Sequence, residues 1–275
     1  MTPDKLQDFS YDSLAFAVEK SAAEEFRIWS RWPGLEFRVE DDRIYTITSV
    51  RSPIFNNILR ATFDPERAEE SIDQTLLPFR ERNVPAYWWV GRSSRPGDLG
   101  SRLTAYGLTT AFIAPAMAAD LQRLPEDISS PAGLVVEEVT HSREFDQWLK
   151  FASACMDLPP AAIGPWTELQ SAVGFGPSNP MRHFLALLGG EPAAAASLFT
   201  GSGIAGMANL VTRKEYRRKG IGSSLTVMLL KAARSSGFRV GALHATAEAA
   251  GMYRRLGFRE YGREWCYLWD GGGGG

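Results

Sequence analysis

Cysteine is scarce in this chain. Cys155 and Cys266 are the two in 275 residues, and they are far apart with no C-x-x-C spacing. That excludes a disulfide framework and a dithiol site. Three histidines without paired ligand spacing leave no ligand set for a structural metal, so none is expected. Neither charge is in excess: 30 Lys and Arg against 32 Asp and Glu give a formal net charge of −2. No global basic field points to nucleic acid, and no such partner is expected. No apolar run approaches the roughly twenty residues of a membrane span. The polar, acidic start MTPDKLQDFS is unlike a signal peptide. The expectation is a soluble cytoplasmic protein, monomer or homodimer, with no membrane partner. Two nucleotide fingerprints are also missing, the P-loop G-x-x-x-x-G-K-[ST] and the Rossmann G-x-G-x-x-G.

The rest of the composition is ordinary for a globular protein, with 44% hydrophobic and 23% charged residues. The length suits two domains. Residues 121–133, LQRLPEDISSPAG, mix proline, serine and acid without periodicity. The expected division is therefore 1–126, 127–270, and a low-complexity tail Gly271–Gly275 set aside from the fold.

One stretch organises the chain, IAGMANLVTRKEYRRKGIGSS from Ile204 to Ser224. It begins as a strand ending in Asn209, Leu210, Val211 and Thr212. A charged turn, Arg213 to Tyr216, leads to Arg217, Arg218, Lys219, Gly220, Ile221, Gly222 and Ser223. An apolar helical pattern starts at once, with Leu225, Met228, Leu229 and Ala232 on one face. The first turn of a helix has N–H groups without partners and a partial positive charge. Glycines there let a ligand approach the backbone, and the basic residues add charge. The expected ligand is a phosphate or pyrophosphate on a small molecule.

The pattern R-x-x-G-x-G resembles the pyrophosphate loop of the GNAT superfamily of acyl-CoA-dependent N-acyltransferases. The segment after the loop fits as well: a helix Ile221 to Ser236, a strand Val240 to Ala245, and Met252-Tyr253-Arg254-Arg255-Leu256-Gly257-Phe258. The resemblance covers about the last half of the chain. It implies that acetyl-CoA (CoA) binds with its pyrophosphate on the loop from Arg217 to Ser223. It also implies that pantetheine pairs with Leu210, Val211 and Thr212, whose N–H groups polarise the thioester carbonyl. Tyr253 matches the family's general acid, which protonates the leaving thiolate. Thr246 matches a position near pantetheine. The bland readings are a solvated basic face, a packed core tyrosine and a helix-capping threonine.

The first half repeats the order of elements. A strand Asn57 to Phe63 and a helix 65–80 capped by Asp64 with Pro65 at its first position are followed by the strand Ala86 to Val90. A short helix, Leu99 to Tyr106, then closes at Gly107. Pro78 should kink or end the longer helix, and Ser142 should cap another in the second half. Asp64-Pro65-Glu66 stands where the second half has its basic glycine loop. The first half thus resembles a degenerate GNAT repeat without cofactor. The expected fold is α/β (α+β mixed sheet), two tandem GNAT-like domains each with a mixed, partly parallel sheet flanked by helices.

The strand before the loop carries no acid, so the general base is not visible. Asn209 could orient a water, Glu248, His244, His183 and the carboxyl groups near Trp269-Asp270 remain open for that role, and a water chain would also suffice. Residues 155–182, with Met156, Trp166, Phe175 and the acids Asp157 and Glu168, suit a small, partly apolar amine. Two functions stand: acetyl transfer from acetyl-CoA to a small-molecule primary amine, and a non-catalytic acyl-CoA sensor.

Overall fold

The structure, a computed structural model, describes residues 5–125 and 128–271. Residues 272–275 of the glycine tail, and residues 126–127 at the expected division, lie outside the described residues. The first part of the chain forms α1 (Tyr11–Trp29), β1 (Glu36–Val39), β2 (Ile44–Ile47), β3 (Asn57–Leu59), α2 (Ala68–Glu81), β4 (Ala86–Val90), α3 (Leu99–Ala105) and β5 (Thr109–Asp120). The second forms β6 (Leu134–Glu138), α4 (Ser142–Cys155), α5 (Pro160–Val173), β7 (Met181–Leu188), β8 (Glu191–Gly201), β9 (Ile204–Thr212), α6 (Ile221–Ser235), β10 (Val240–His244), α7 (Ala247–Arg255) and β11 (Arg259–Trp269).

Helices in both halves stop in the same way. The N–H of Gly107 bonds to Thr104 O and that of Leu108 to Leu103 O; Gly257 and Phe258 repeat this on Arg254 O and Tyr253 O. Asn83 and Val84 end α2 with the same pair of bonds, and Gly237 and Phe238 end α6. This double closure needs a left-handed residue after the cap, which Gly107, Asn83, Gly237 and Gly257 supply with positive φ. The next residue in each case, Leu108, Val84, Phe238 or Phe258, is buried. The turn therefore sends an apolar residue into the core and the chain into its next strand.

All strands belong to one sheet, in the order β1-β2-β3-β4-β11-β5-β10-β9-β8-β7-β6. The pairs β3–β4 and β9–β10 are parallel, and the others are antiparallel. The mixed, partly parallel sheet and the parallel pairing in the first half are as expected. The centre of the sheet holds an exchange. β5, the last strand of the first half, lies between β10 and β11, and β11, the last strand of the chain, lies between β5 and β4. Each half so completes the other's sheet. Tyr267 and Trp269 of β11 share a core with Trp88, Ile72, Leu76 and Phe79 of the first half. Helix α1 crosses the exchange, packing on β5, β8, β9, β10 and β11.

Several local expectations are corrected. Asp64 does not cap α2; its carboxylate accepts the Glu66 N–H in a separate turn, and the helix begins at Ala68. Pro78 does not end α2, which runs on to Glu81; only one ladder bond is lost, and Phe79 beyond it is fully buried. The cap of α4 is His141 and not Ser142, because Glu144 reaches back to the His141 N–H at 3.1 Å. The strand expected over 57–63 is only β3, since Arg60 turns to φ 53°. β1 and β11 were not expected.

Candidate functional site

Two parallel strands meet and then part. β9 and β10 pair only at Ala205–Gly241 and Gly206–Ala242. β9 continues to Thr212 and β10 to His244 beyond that contact. A gap opens between their C-terminal ends, the place where an extended ligand can pair with the freed edge of β9.

β9 also carries a bulge here. The register against β8 slips between Ala195 and Ser197, and Asn209 takes a left-handed φ of 55°. The slip places Leu210 against the α6 side of the sheet and Val211 against the α4–α5 side. Asn209 is held by a directed chain of hydrogen bonds. Its amide donates to Ser197 Oγ at 3.1 Å. His183 lies 2.9 Å from Ser197 Oγ through Nδ1 and 3.1 Å from Gly174 O through Nε2. A carbonyl only accepts, so Nε2 carries the proton and Nδ1 accepts from the serine. The arrangement requires a neutral imidazole.

Burial also favours the neutral form, lowering the pKa of His183 to about 4 although the bond to Gly174 O opposes this. His183 is thus a support of the bulge and not a base. Between pH 6.5 and about 4 the unfolded chain binds a proton at this position that the folded chain does not. Stability should therefore fall as pH drops through that window, by about 3 kcal/mol in all, at about 1.36 kcal/mol per pH unit. Urea unfolding at pH 7 and 4.5 checks this: a His183→Gln variant should lose much of the slope, and an unchanged slope would remove His183 as its source.

The loop after β9 turns through Lys214–Tyr216 and then through two left-handed residues, Arg218 (φ 65°) and Gly220 (φ 82°). Arg217 Nε bonds back to Thr212 O at 3.1 Å, tying the loop to the strand end. The Lys219 ammonium stands 5.5 Å over the Tyr216 ring. Gly220 is the N-cap of α6 and provides no side-chain acceptor; the first turn contains no acid. The other helices beside the gap differ: Thr246 caps α7 by accepting the Ala249 N–H at 3.3 Å, and Ser10 caps α1. The first-turn N–H groups around Ile221, Gly222 and Ser223 thus have no acceptor from a capping side chain, the arrangement that receives an anion. Gly222 faces Thr212 Oγ1 and Met252 Sδ, which would lie 3.4 and 3.6 Å from a Cβ there. The loop, the end of β9 and α7 therefore converge at one place.

Tyr253 projects from α7 into the same core as Leu225 and Leu243 and packs edge-on to Phe258, with ring centroids 5.4 Å apart. Burial raises its phenol above the usual value, so it stays protonated. Thr246 acts as a helix cap, with its hydroxyl hydrogen left to donate. Among the remaining base candidates, Glu248 is exposed in the first turn of α7. Asp270 follows β11 where that strand pairs with β4 of the first half, far along the strand from the gap. His244 alone ends a strand at the gap. An open groove of about 760 Å³ lies beside the loop, between Phe151 and Cys155 of α4 and Arg213, Tyr216 and Lys219.

The fold is shared with solved structures described as GCN5-related N-acetyltransferases. Residues 179–260 match the family described as acetyltransferase (GNAT) domain. A GCN5-related N-acetyltransferase from Kribbella flavida superposes with a TM-score of 0.72 at 17% identity, covering 92% of this chain and 95% of that one. A GCN5-related N-acetyltransferase from Sphaerobacter thermophilus gives 0.63 at 14% identity, covering 94% and 91%. A tandem GNAT protein from the clavulanic acid biosynthesis pathway gives 0.58 at 13% identity, covering 98% and 97%. Compared by sequence with curated proteins, the chain has no match. The fold supports acyl transfer. Among the described residues no helix is long and apolar enough to cross a membrane, and no group of acidic, histidine or cysteine side chains could hold a metal.

Proposed function

We propose that the protein is a cytoplasmic N-acetyltransferase that moves an acetyl group from acetyl-CoA to the primary amine of a small molecule. The observation that carries this reading is the uncapped, glycine-started helix α6 beside strands that part at their C-terminal ends. In this reading the pyrophosphate rests on the N–H groups of residues 218–223, with Arg217, Arg218 and Lys219 beside it. The pantetheine arm lies in the gap along Leu210, Val211 and Thr212. Their N–H groups hold the oxyanion that forms when the amine attacks the thioester carbon. The C–S bond then breaks, and Tyr253 gives its proton to the thiolate. Thr246 donates its remaining hydroxyl hydrogen toward pantetheine.

The first half, residues 1–126, acts in this reading as a repeat that has lost its cofactor site, and residues 127–270 form the catalytic half. The turn at Asp64 and the acids Glu69 and Glu70 in the first turn of α2 support this, since they would repel a phosphate. Calorimetry should find one CoA per chain, and charge reversal at Asp64 and Glu66 should leave affinity and stoichiometry unchanged; two CoA per chain would refute the division of roles. Thiol release from acetyl-CoA with a panel of primary amines tests the activity. Binding without turnover on every amine would instead fit an acyl-CoA sensor.

A further inference from the structure

On the face of the sheet that α1 covers, an imidazole and a carboxylate meet across a strand. His244 ends β10 and is paired in register with Ala116 of β5; Glu264 of β11 is paired with Ala114 of the same strand. The side chains of Ala114 and Ala116 are small enough for their neighbours to meet over β5, with His244 Nε2 2.9 Å from Glu264 Oε1. The carboxylate is buried, with 5% of its side chain exposed, while the imidazole keeps 20%. A buried acid behind a partly accessible imidazole is an orienting arrangement: Nε2–H donates to the carboxylate, and Nδ1 is left to accept a proton.

The pair also stands at the right edge. His244 is the last residue of the strand that parts from β9. It shares the α1 side with Ala242 and Ala116, opposite the side on which α6 and α7 pack. The charged groups around it are acidic. Glu25 and Glu19 from α1 act on it in addition to Glu264, and Arg60 lies near Glu19. Glu19 is itself engaged, accepting from the Ser93 N–H and hydroxyl.

We propose that His244, oriented by Glu264, is the general base of the reaction and that the acceptor arrives beside it as a monocationic primary ammonium. This inference rests on the reading of the site as an acyl-CoA-dependent N-acyltransferase. The acceptor R–NH₃⁺ enters from the α1 side and loses one proton to His244 Nδ1. The free amine attacks the thioester carbon, forming the C–N bond. The tetrahedral intermediate collapses with cleavage of C–S, the thiolate takes a proton from Tyr253, and the second amine proton restores the tyrosine. One proton leaves through His244 to solvent, and the products are the amide and CoA thiol. The Glu264 carboxylate favours a cation as the arriving species; burial raises the pKa of Glu19 and of Glu25, the latter to about 7, so Glu25 adds its charge as pH rises through that value, and Tyr253 on the other face serves the leaving group.

Burial opposes protonation of His244, but Glu264, then Glu25 and Glu19, outweigh it and hold its pKa above the usual 6.5. A base must be unprotonated, so kcat/KM should rise with pH along a limb above that value. Glu264→Gln removes the largest favourable charge. It should move the limb to lower pH and lower kcat about tenfold. His244→Gln should abolish the limb and reduce kcat about a hundredfold or more. Both variants should bind acetyl-CoA within about twofold of the parent by calorimetry, which also shows that they fold. An NMR titration of the imidazole in the parent and in Glu264→Gln reads the same shift without turnover. Parent-like kcat and pH profile in His244→Gln would overturn the assignment while leaving the acetyltransferase reading in place. A parent that binds no CoA, or acetylates no amine, would overturn that reading and this inference with it.

Discussion

Gly222→Asp should fold like the parent and, if the phosphates of CoA rest on the start of α6 as proposed, should bind CoA at least about a hundredfold more weakly. A Cβ at this position meets only Thr212 Oγ1 at 3.4 Å and Met252 Sδ at 3.6 Å, which is ordinary contact. An acid in the first turn is also favourable to an isolated helix, because it complements the partial positive charge there. Stability should hold or rise. The ligand experiences the opposite: a fixed negative charge stands where its phosphates would sit and takes the N–H groups they need. Hydrogen bonds to a charged group contribute about 1.5–3 kcal/mol each, and two of them correspond to at least about a hundredfold in affinity. Gly222→Ala adds the methyl without the charge and should lose far less. Gly220→Ala answers a different question, since its φ of 82° strains any side chain. Calorimetry with thermal melts distinguishes these effects, and a folded Gly222→Asp protein with parental affinity would put the phosphates elsewhere.

Tyr253→Phe should lower kcat about ten- to a thousandfold, at or below the usual range for one proton-transfer group, and leave CoA affinity nearly unchanged. The residue is buried and its phenol is held protonated by burial, the state a donor requires. The substitution keeps the ring that packs against Phe258, so folding should be little affected. In the proposed reaction the hydroxyl would act only once the C–S bond breaks, which puts its expected effect on turnover. Rapid-mixing measurement of the chemical step is the check; an unchanged step would reduce Tyr253 to packing.

Much of the second half could be read from residues a few positions apart. The run from Ile204 to Ser224 became β9, the basic loop and α6 close to the expected bounds. Gly107 and Gly257 marked the ends of α3 and α7, because a left-handed closure leaves few alternatives to glycine. The failures are also physical. Pro78 breaks only one bond in a helix whose buried face continues past it. β11 carries Arg259, Glu260, Arg263 and Glu264 among its first six residues, and so many charges hide the alternation of a strand. The bulge at Asn209 has no glycine to announce it; its left-handed turn is supported by Ser197 and His183, more than ten residues away in the chain.

The sequence by itself determined the local pieces: a strand, an uncapped glycine loop and a helix start whose N–H groups await an anion, along with helices closed by left-handed residues. Those pieces arise from backbone sterics and hydrogen bonding within a few residues. Only the tertiary structure decided which strands are neighbours. Sheet pairing joins backbone groups that every residue has, so nothing local in β5 or β11 specifies the exchange that sets β5 between β10 and β11. The exchange brings His244 to Glu264 over two alanines from the other half of the chain. It turns a histidine that looked ordinary in sequence into the accessible member of an imidazole–carboxylate pair, because their meeting depends on the small side chains of the strand between them.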